Sequence, residues 1–210
     1  KGKRQTKPTL ILGYGAYGSS TSPFFSVPFL NFVNEGGVFA IAHVRGGGEK
    51  GDAWHKGGFK STKPNTWKDF IACTEYLINE GYTSKKQTIA IGASAGGITV
   101  GRAITERPDL YAACIAIAPS MNLLRYEVEP NGSNNIKEYG SHEDSLQFRA
   151  LLEMDSYHQI KDGEHYPATL VTTGINDSRV AAWNPAKFAA RLQAANSSDN
   201  PVLLSKLPSL

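Results

Sequence analysis

Cysteine is nearly absent: the 210 residues hold two, Cys73 and Cys114. There is no CxxC pair and no histidine at ligand spacing from either thiol. A disulfide scaffold and a zinc centre are therefore excluded as organising features, and no metal or cofactor is expected. Two buried free thiols suit a reducing compartment, so the expected location is cytoplasmic. An excess of one charge is missing too. Lys and Arg number 22 against 19 Asp and Glu, a net charge of +3, which leaves no electrostatic footprint for nucleic acid or for a membrane surface. No window of 18 apolar residues exists, so no membrane-spanning helix is expected. The basic start, Lys1 to Lys7, runs into only a short apolar stretch, Leu10–Leu12, too short for a signal-peptide core. Internal repeats and low-complexity linkers are absent. Three Asn-x-Ser triplets, at Asn131, Asn176 and Asn196, are too short a pattern to carry weight.

What is present is enough apolar material for a core: 40% of the residues are hydrophobic and 20% charged, outside the range of disordered chains. Glycine is plentiful, 21 residues against an ordinary share of roughly 7%, and it is clustered. Short apolar runs bounded by glycine or proline read as buried strands: Thr9–Gly13, Val38–His43, Thr88–Gly92, Cys114–Ala118, Thr169–Thr173 and a last one beginning at Val202–Leu204. Between them lie helical patterns. Trp67–Asn79 carries Phe70, Ile71, Thr74, Leu77 and Ile78 at helical spacing and is stopped by Gly81. Ala95–Glu106 ends before Pro108, and Leu146–Met154 and Pro185–Ala195 follow. Strands of continuous apolar character alternating with helices predict a mostly parallel α/β sheet covered on both faces, with residues 1–210 as a single domain. The polar stretch 127–144 lacks periodicity and reads as a long loop.

The sharpest chemical signal is Gly92-Ala93-Ser94-Ala95-Gly96, a G-x-S-x-G with an apolar strand before it and a helix after it. Such a turn projects the serine hydroxyl from the end of the sheet. Glycines two before and two after it remove side chains that would clash, and the helix N-terminus supplies N–H groups for an oxyanion. Ser94 is the candidate nucleophile. A serine needs a base and a group that orients the base. Asp177 follows the strand Thr169–Thr173 and should stand at the same sheet edge as Ser94, as the acid. No histidine follows it. His43, His55, His142, His158 and His165 all precede Asp177. His165 falls at the opposite edge, nothing ties His43 to Asp177, and His142 and His158 read as surface or packing groups.

These segments resemble the catalytic domain of the prolyl oligopeptidase family of serine peptidases. The likeness rests on Gly13-Tyr14-Gly15-Ala16-Tyr17, Ala42-His43-Val44-Arg45-Gly46-Gly47-Gly48-Glu49, Trp54-His55-Lys56-Gly57-Gly58, the serine turn, Arg107-Pro108-Asp109-Leu110, Glu138-Tyr139-Gly140, and Asp177 with Arg179-Val180. It covers Leu10 to about Leu204 and implies an α/β-hydrolase-like fold. It implies Ser94 as nucleophile, Asp177 as triad acid, and an oxyanion hole from the Ala95 N–H and the Tyr14 hydroxyl. Arg179 would hold a substrate carbonyl, with Val180 and Tyr17 lining the pocket for the residue before the cleaved bond. His55 matches a family histidine without a catalytic role.

Three departures accompany the likeness. No propeller domain is expected before these residues. Asn135 stands where the family has a tryptophan that stacks on proline. The family histidine beyond the acid is not reached, and the tail 205–210 leaves the pattern. The expectation is a hydrolase domain, incomplete at its C-terminus, cut short of its base. Three functions stay open: hydrolysis of small esters, cleavage of short peptides, and an inactive fragment that self-associates through an uncovered sheet edge.

Overall fold

The computed structural model describes residues 5–208; the basic residues 1–4 and the last two residues of the tail lie outside them. Six strands form one sheet: β1 (Thr9–Gly13), β2 (Val38–Ala42), β3 (Thr88–Ala93), β4 (Ala113–Ile117), β5 (Ala168–Gly174) and β6 (Val202–Leu207). Their order is β2-β1-β3-β4-β5-β6 and every neighbouring pair is parallel. All six expected strands are present, with ends shifted by a residue or so except at β6. There Ser205, Lys206 and Leu207 continue the ladder opposite Thr172, Thr173 and Gly174, so the chain stays in the sheet past Leu204.

The helices are α1 (Val27–Asn34), α2 (Asp52–Lys56), α3 (Pro64–Asn79), α4 (Gly96–Glu106), α5 (Gly132–Tyr139), α6 (Ser145–Met154) and α7 (Trp183–Ala195). From β2 onward the crossovers advance in one direction, and β1 to β2 runs the other way. Right-handed crossovers therefore put α1 on one face and α3, α4 and α7 on the other. The register reveals an unequal cover. Ile11, Ala90, Cys114, Ala116 and Val171 share the α4 face and are essentially inaccessible. Ile89, Ile115 and Leu170, one residue out of phase, are half-buried. β4 and β5 thus alternate in burial although both were read as continuously buried.

Two further readings change. Cys114 is buried, but Cys73 on α3 is half-buried. The stretch 127–144 is not a plain loop, since it contains α5. Asn131 precedes that helix, and Asn135 Nδ2 anchors it to Tyr126 O at 2.9 Å. Among the described residues, no helix is long and apolar enough to cross a membrane.

Candidate active site

β3 ends at Ala93 and α4 begins at Gly96, leaving Ser94 and Ala95 to make the whole turn. Ser94 has φ 52°, the left-handed region that costs a side-chain-bearing residue about 1 kcal/mol or more. Three backbone bonds hold it there. Its N–H donates to Ile117 O, and its carbonyl accepts from Gly97 N–H and Ser120 N–H, each at 2.9 Å. The glycines are required by close approach. A Cβ on Gly92 would stand 2.5 Å from Gly96 O, and one on Gly96 would stand 2.6 Å from Gly13 O. Ser94 Oγ and the Ala95 N–H have no hydrogen-bond partner among the described residues.

The ladder runs on across this edge: after Ser94 N–H to Ile117 O, Ala118 N–H donates to Thr172 O at 2.9 Å. The segment after β5 therefore lies two strand spacings from Ser94, roughly 10 Å along the sheet. Asp177 sits in that segment with its side chain 5% exposed. Its Oδ1 accepts from Arg179 N–H at 2.8 Å and Val180 N–H at 3.1 Å. Its Oδ2 is buried and unpartnered among the described residues, a costly state for a carboxylate oxygen.

Tyr14 leaves β1 beside the serine turn: the position of a Gly96 Cβ is 3.4 Å from Tyr14 Cα and 3.5 Å from Cδ2. Burial raises the Tyr14 phenol above its ordinary value, Glu138 adds to this, and Arg179 opposes it. The phenol is therefore a protonated donor at neutral pH. Arg179 is largely exposed, while Val180 is buried. Tyr17 meets Tyr139 edge-on at 5.5 Å, and its hydroxyl donates to Asn135 Oδ1 at 3.2 Å. Asn135 is itself buried. A cavity of about 460 Å³, lined by Tyr17, His55, Phe59, Lys137 and Glu138 among others, opens beside this pair.

The histidines are engaged elsewhere. His43 meets Glu49 at 3.2 Å, His55 meets Glu138 at 2.9 Å, His142 meets Glu127 at 2.8 Å and His158 meets Asp155 at 3.0 Å. His165 lies exposed before β5. None contacts Ser94 or Asp177.

Sequence reasoning missed the groups that hold these pieces. Glu129 Oε2 accepts from Ala181 N–H at 3.1 Å and Oε1 from Asn184 Nδ2 at 2.6 Å. Asn184 Oδ1 in turn takes the N–H groups of Met121 and Asn122 at 2.8 and 2.9 Å. Burial pushes the Glu129 carboxyl up to about 7, against the pull of those donors. Lys63 is fully buried, and nothing in its sequence neighbourhood announces it.

The sequence matches the prolyl oligopeptidase family over residues 24–209. The chain belongs to this family. The match extends past Leu204, beyond the point where the sequence pattern alone predicts its end. The prolyl endopeptidase of Elizabethkingia meningoseptica is 39% identical over 198 residues, covering 94% of this chain and 28% of that protein. Dipeptidyl aminopeptidase BI of Pseudoxanthomonas mexicana is 36% identical over 199 residues, 93% of this chain and 27% of that protein. Among solved structures, oligopeptidase B from Leishmania major superposes with a TM-score of 0.94 at 34% identity, covering 99% of this chain and 29% of that one. The chain thus spans less than a third of the length of these relatives.

Proposed function

We propose that the site is the acyl-transfer centre of a serine peptidase that acts on short peptides and small esters, with Ser94 as nucleophile. The observation that carries this reading is Ser94 itself. Its left-handed backbone at the strand–helix turn presents an Oγ that, like the adjoining Ala95 N–H, has no partner among the described residues. In the proposed chemistry, Ser94 Oγ attacks the substrate carbonyl and its proton passes to an imidazole oriented by Asp177 or, without one, to water. The carbonyl oxygen becomes an oxyanion held by the Ala95 N–H and the Tyr14 hydroxyl. Collapse breaks the scissile bond and the same proton goes to the departing amine or alcohol; water then attacks the acyl-serine, releases the acid and restores the Ser94 hydroxyl. Arg179 binds a substrate carbonyl, and Val180 and Tyr17 line the pocket for the residue before the cleaved bond. Asp177 is the triad acid. Its unpartnered Oδ2 supports that role, because it is an acceptor suited to orient an imidazole.

The names of the relatives favour peptide substrates, and Asn135 in place of an aromatic wall favours a broader residue than proline at that pocket. The test is labelling by a fluorophosphonate with Ser94→Ala as control, followed by p-nitrophenyl esters against Gly-Pro amides. Ester turnover without Gly-Pro amide cleavage separates the two substrate classes.

A second reading follows from the same Oδ2. With no histidine on it among the described residues, the 210 residues alone react slowly, with only the oxyanion hole and binding to help Ser94. Removing triad members in a serine protease leaves about 10³–10⁴-fold acceleration over water.

A further inference from the structure

The segment that leaves β1 is held in an unusual backbone. Gly15, Tyr17 and Gly18 have φ values of 71°, 56° and 60°. Left-handed Tyr17 is strained and persists only if its surroundings over-determine it. Four separate parts of the fold do so. Thr99 Oγ1 on α4 donates to Tyr14 O at 2.7 Å. Lys63 Nζ, just before α3, donates to Gly15 O. Tyr17 N–H donates to Glu138 Oε1 on α5 at 2.7 Å. Gly18 N–H donates to Gly46 O at 3.1 Å. The other Glu138 oxygen is occupied by His55 Nε2.

Lys63 is the costly member. Its side chain is inaccessible, no carboxylate among the described residues lies within ion-pair distance, and its ammonium packs over the Tyr139 ring at 5.5 Å. Burial lowers it to about 8, with Glu138 pulling the other way. Burying an ammonium without a counter-ion is costly, so a lysine here calls for a reason. What lysine adds here is a charged donor to one carbonyl, and that carbonyl belongs to the residue after Tyr14.

We propose that Lys63 and Glu138 are positioning residues that clamp the Gly15 and Tyr17 backbone and thereby fix the Tyr14 hydroxyl beside the Ser94 turn. The inference rests on the reading of Tyr14 as an oxyanion donor. Removing one oxyanion donor costs about 10²–10³ in kcat, so Tyr14→Phe sets the scale. Lys63→Met keeps the bulk and loses the donor. It should lower kcat for ester turnover, and the rate of Ser94 phosphonylation, about tenfold, with KM little changed. In the Tyr14→Phe background the same substitution should cost less than about twofold, because residues acting through one another are non-additive. Full additivity, or a change confined to KM, overturns the proposal.

Amide exchange of Tyr17 and Gly18 in the full chain reads the clamp without chemistry. Both amides should exchange at least about tenfold faster in Lys63→Met, with α7 amides unchanged. Unchanged exchange overturns the clamp. If wild type shows no Ser94-dependent reaction, the hydrolase reading fails and the exchange result still decides the clamp. Should Lys63→Met not fold, Glu138→Ala replaces it, with the same expectations for Tyr17 exchange and for non-additivity with Tyr14→Phe.

Discussion

Glu129 and Asn184 meet at 2.6 Å, carboxylate to amide, and join the segment after β4 to the head of α7. Through Ala181 N–H the same carboxylate steadies the loop that carries Asp177, Arg179 and Val180. The proximity of Asp177 adds to the upward push that burial exerts on Glu129.

This pair gives a pH dependence of stability. The Glu129 carboxyl, near 4.5 when unfolded, is raised to about 7 when folded. Between those values the folded protein keeps a proton that the unfolded chain has released. Its contribution to stability therefore falls as pH rises from about 4.5 to 7 and is flat above. Glu129→Gln is an isostere of the protonated carboxyl that the folded protein holds at pH 5, so the two proteins should be about equally stable there. By pH 8 the wild type has lost its share, and Glu129→Gln should be the more stable protein in urea titrations. A wild type that gains on the variant as pH rises contradicts the assignment.

Gly96→Ala tests how closely Tyr14 and the serine turn are packed. The added Cβ would stand 2.6 Å from Gly13 O, so β1 and α4 must part. Overpacking of this kind costs about 1–3 kcal/mol. Ser94 labelling should fall further than stability does, since the displaced segment carries Tyr14. Thermal melts together with labelling rates decide it. Normal labelling in a destabilised protein would separate Tyr14 from the reaction.

Imidazole in solution should accelerate ester turnover by the 210-residue chain, because Asp177 Oδ2 is an unfilled acceptor at the edge that holds Ser94. The acceleration should saturate and should be lost in Asp177→Ala. Equal acceleration in that variant would mean ordinary solution catalysis.

The strands and the serine turn were legible because their causes are local: apolar runs closed by glycine, and a pentapeptide between strand and helix. Helix α1 was missed because Val27–Asn34 is barely two turns long, too short for its apolar residues to set a period, and it buries none of its residues. Helix α5 was missed because Asn-Gly-Ser-Asn-Asn is poor helix-forming sequence, stabilised by its tertiary anchors at Tyr126 and Tyr17. Ser94 and Asp177 stand out from the local pattern as candidates, and Tyr14 only from the family resemblance. The groups that hold them do not. Lys63, Glu138 and Glu129 are charged residues with partners 48, 121 and 55 positions away, and a sequence offers no reason to bury them.

The most direct measurement is the site and rate of fluorophosphonate labelling, read by mass spectrometry on the folded chain. The account predicts one adduct, on Ser94, absent in Ser94→Ala and slowed about 10²-fold or more in Tyr14→Phe. An unlabelled folded protein, or an adduct on any other serine, would contradict it.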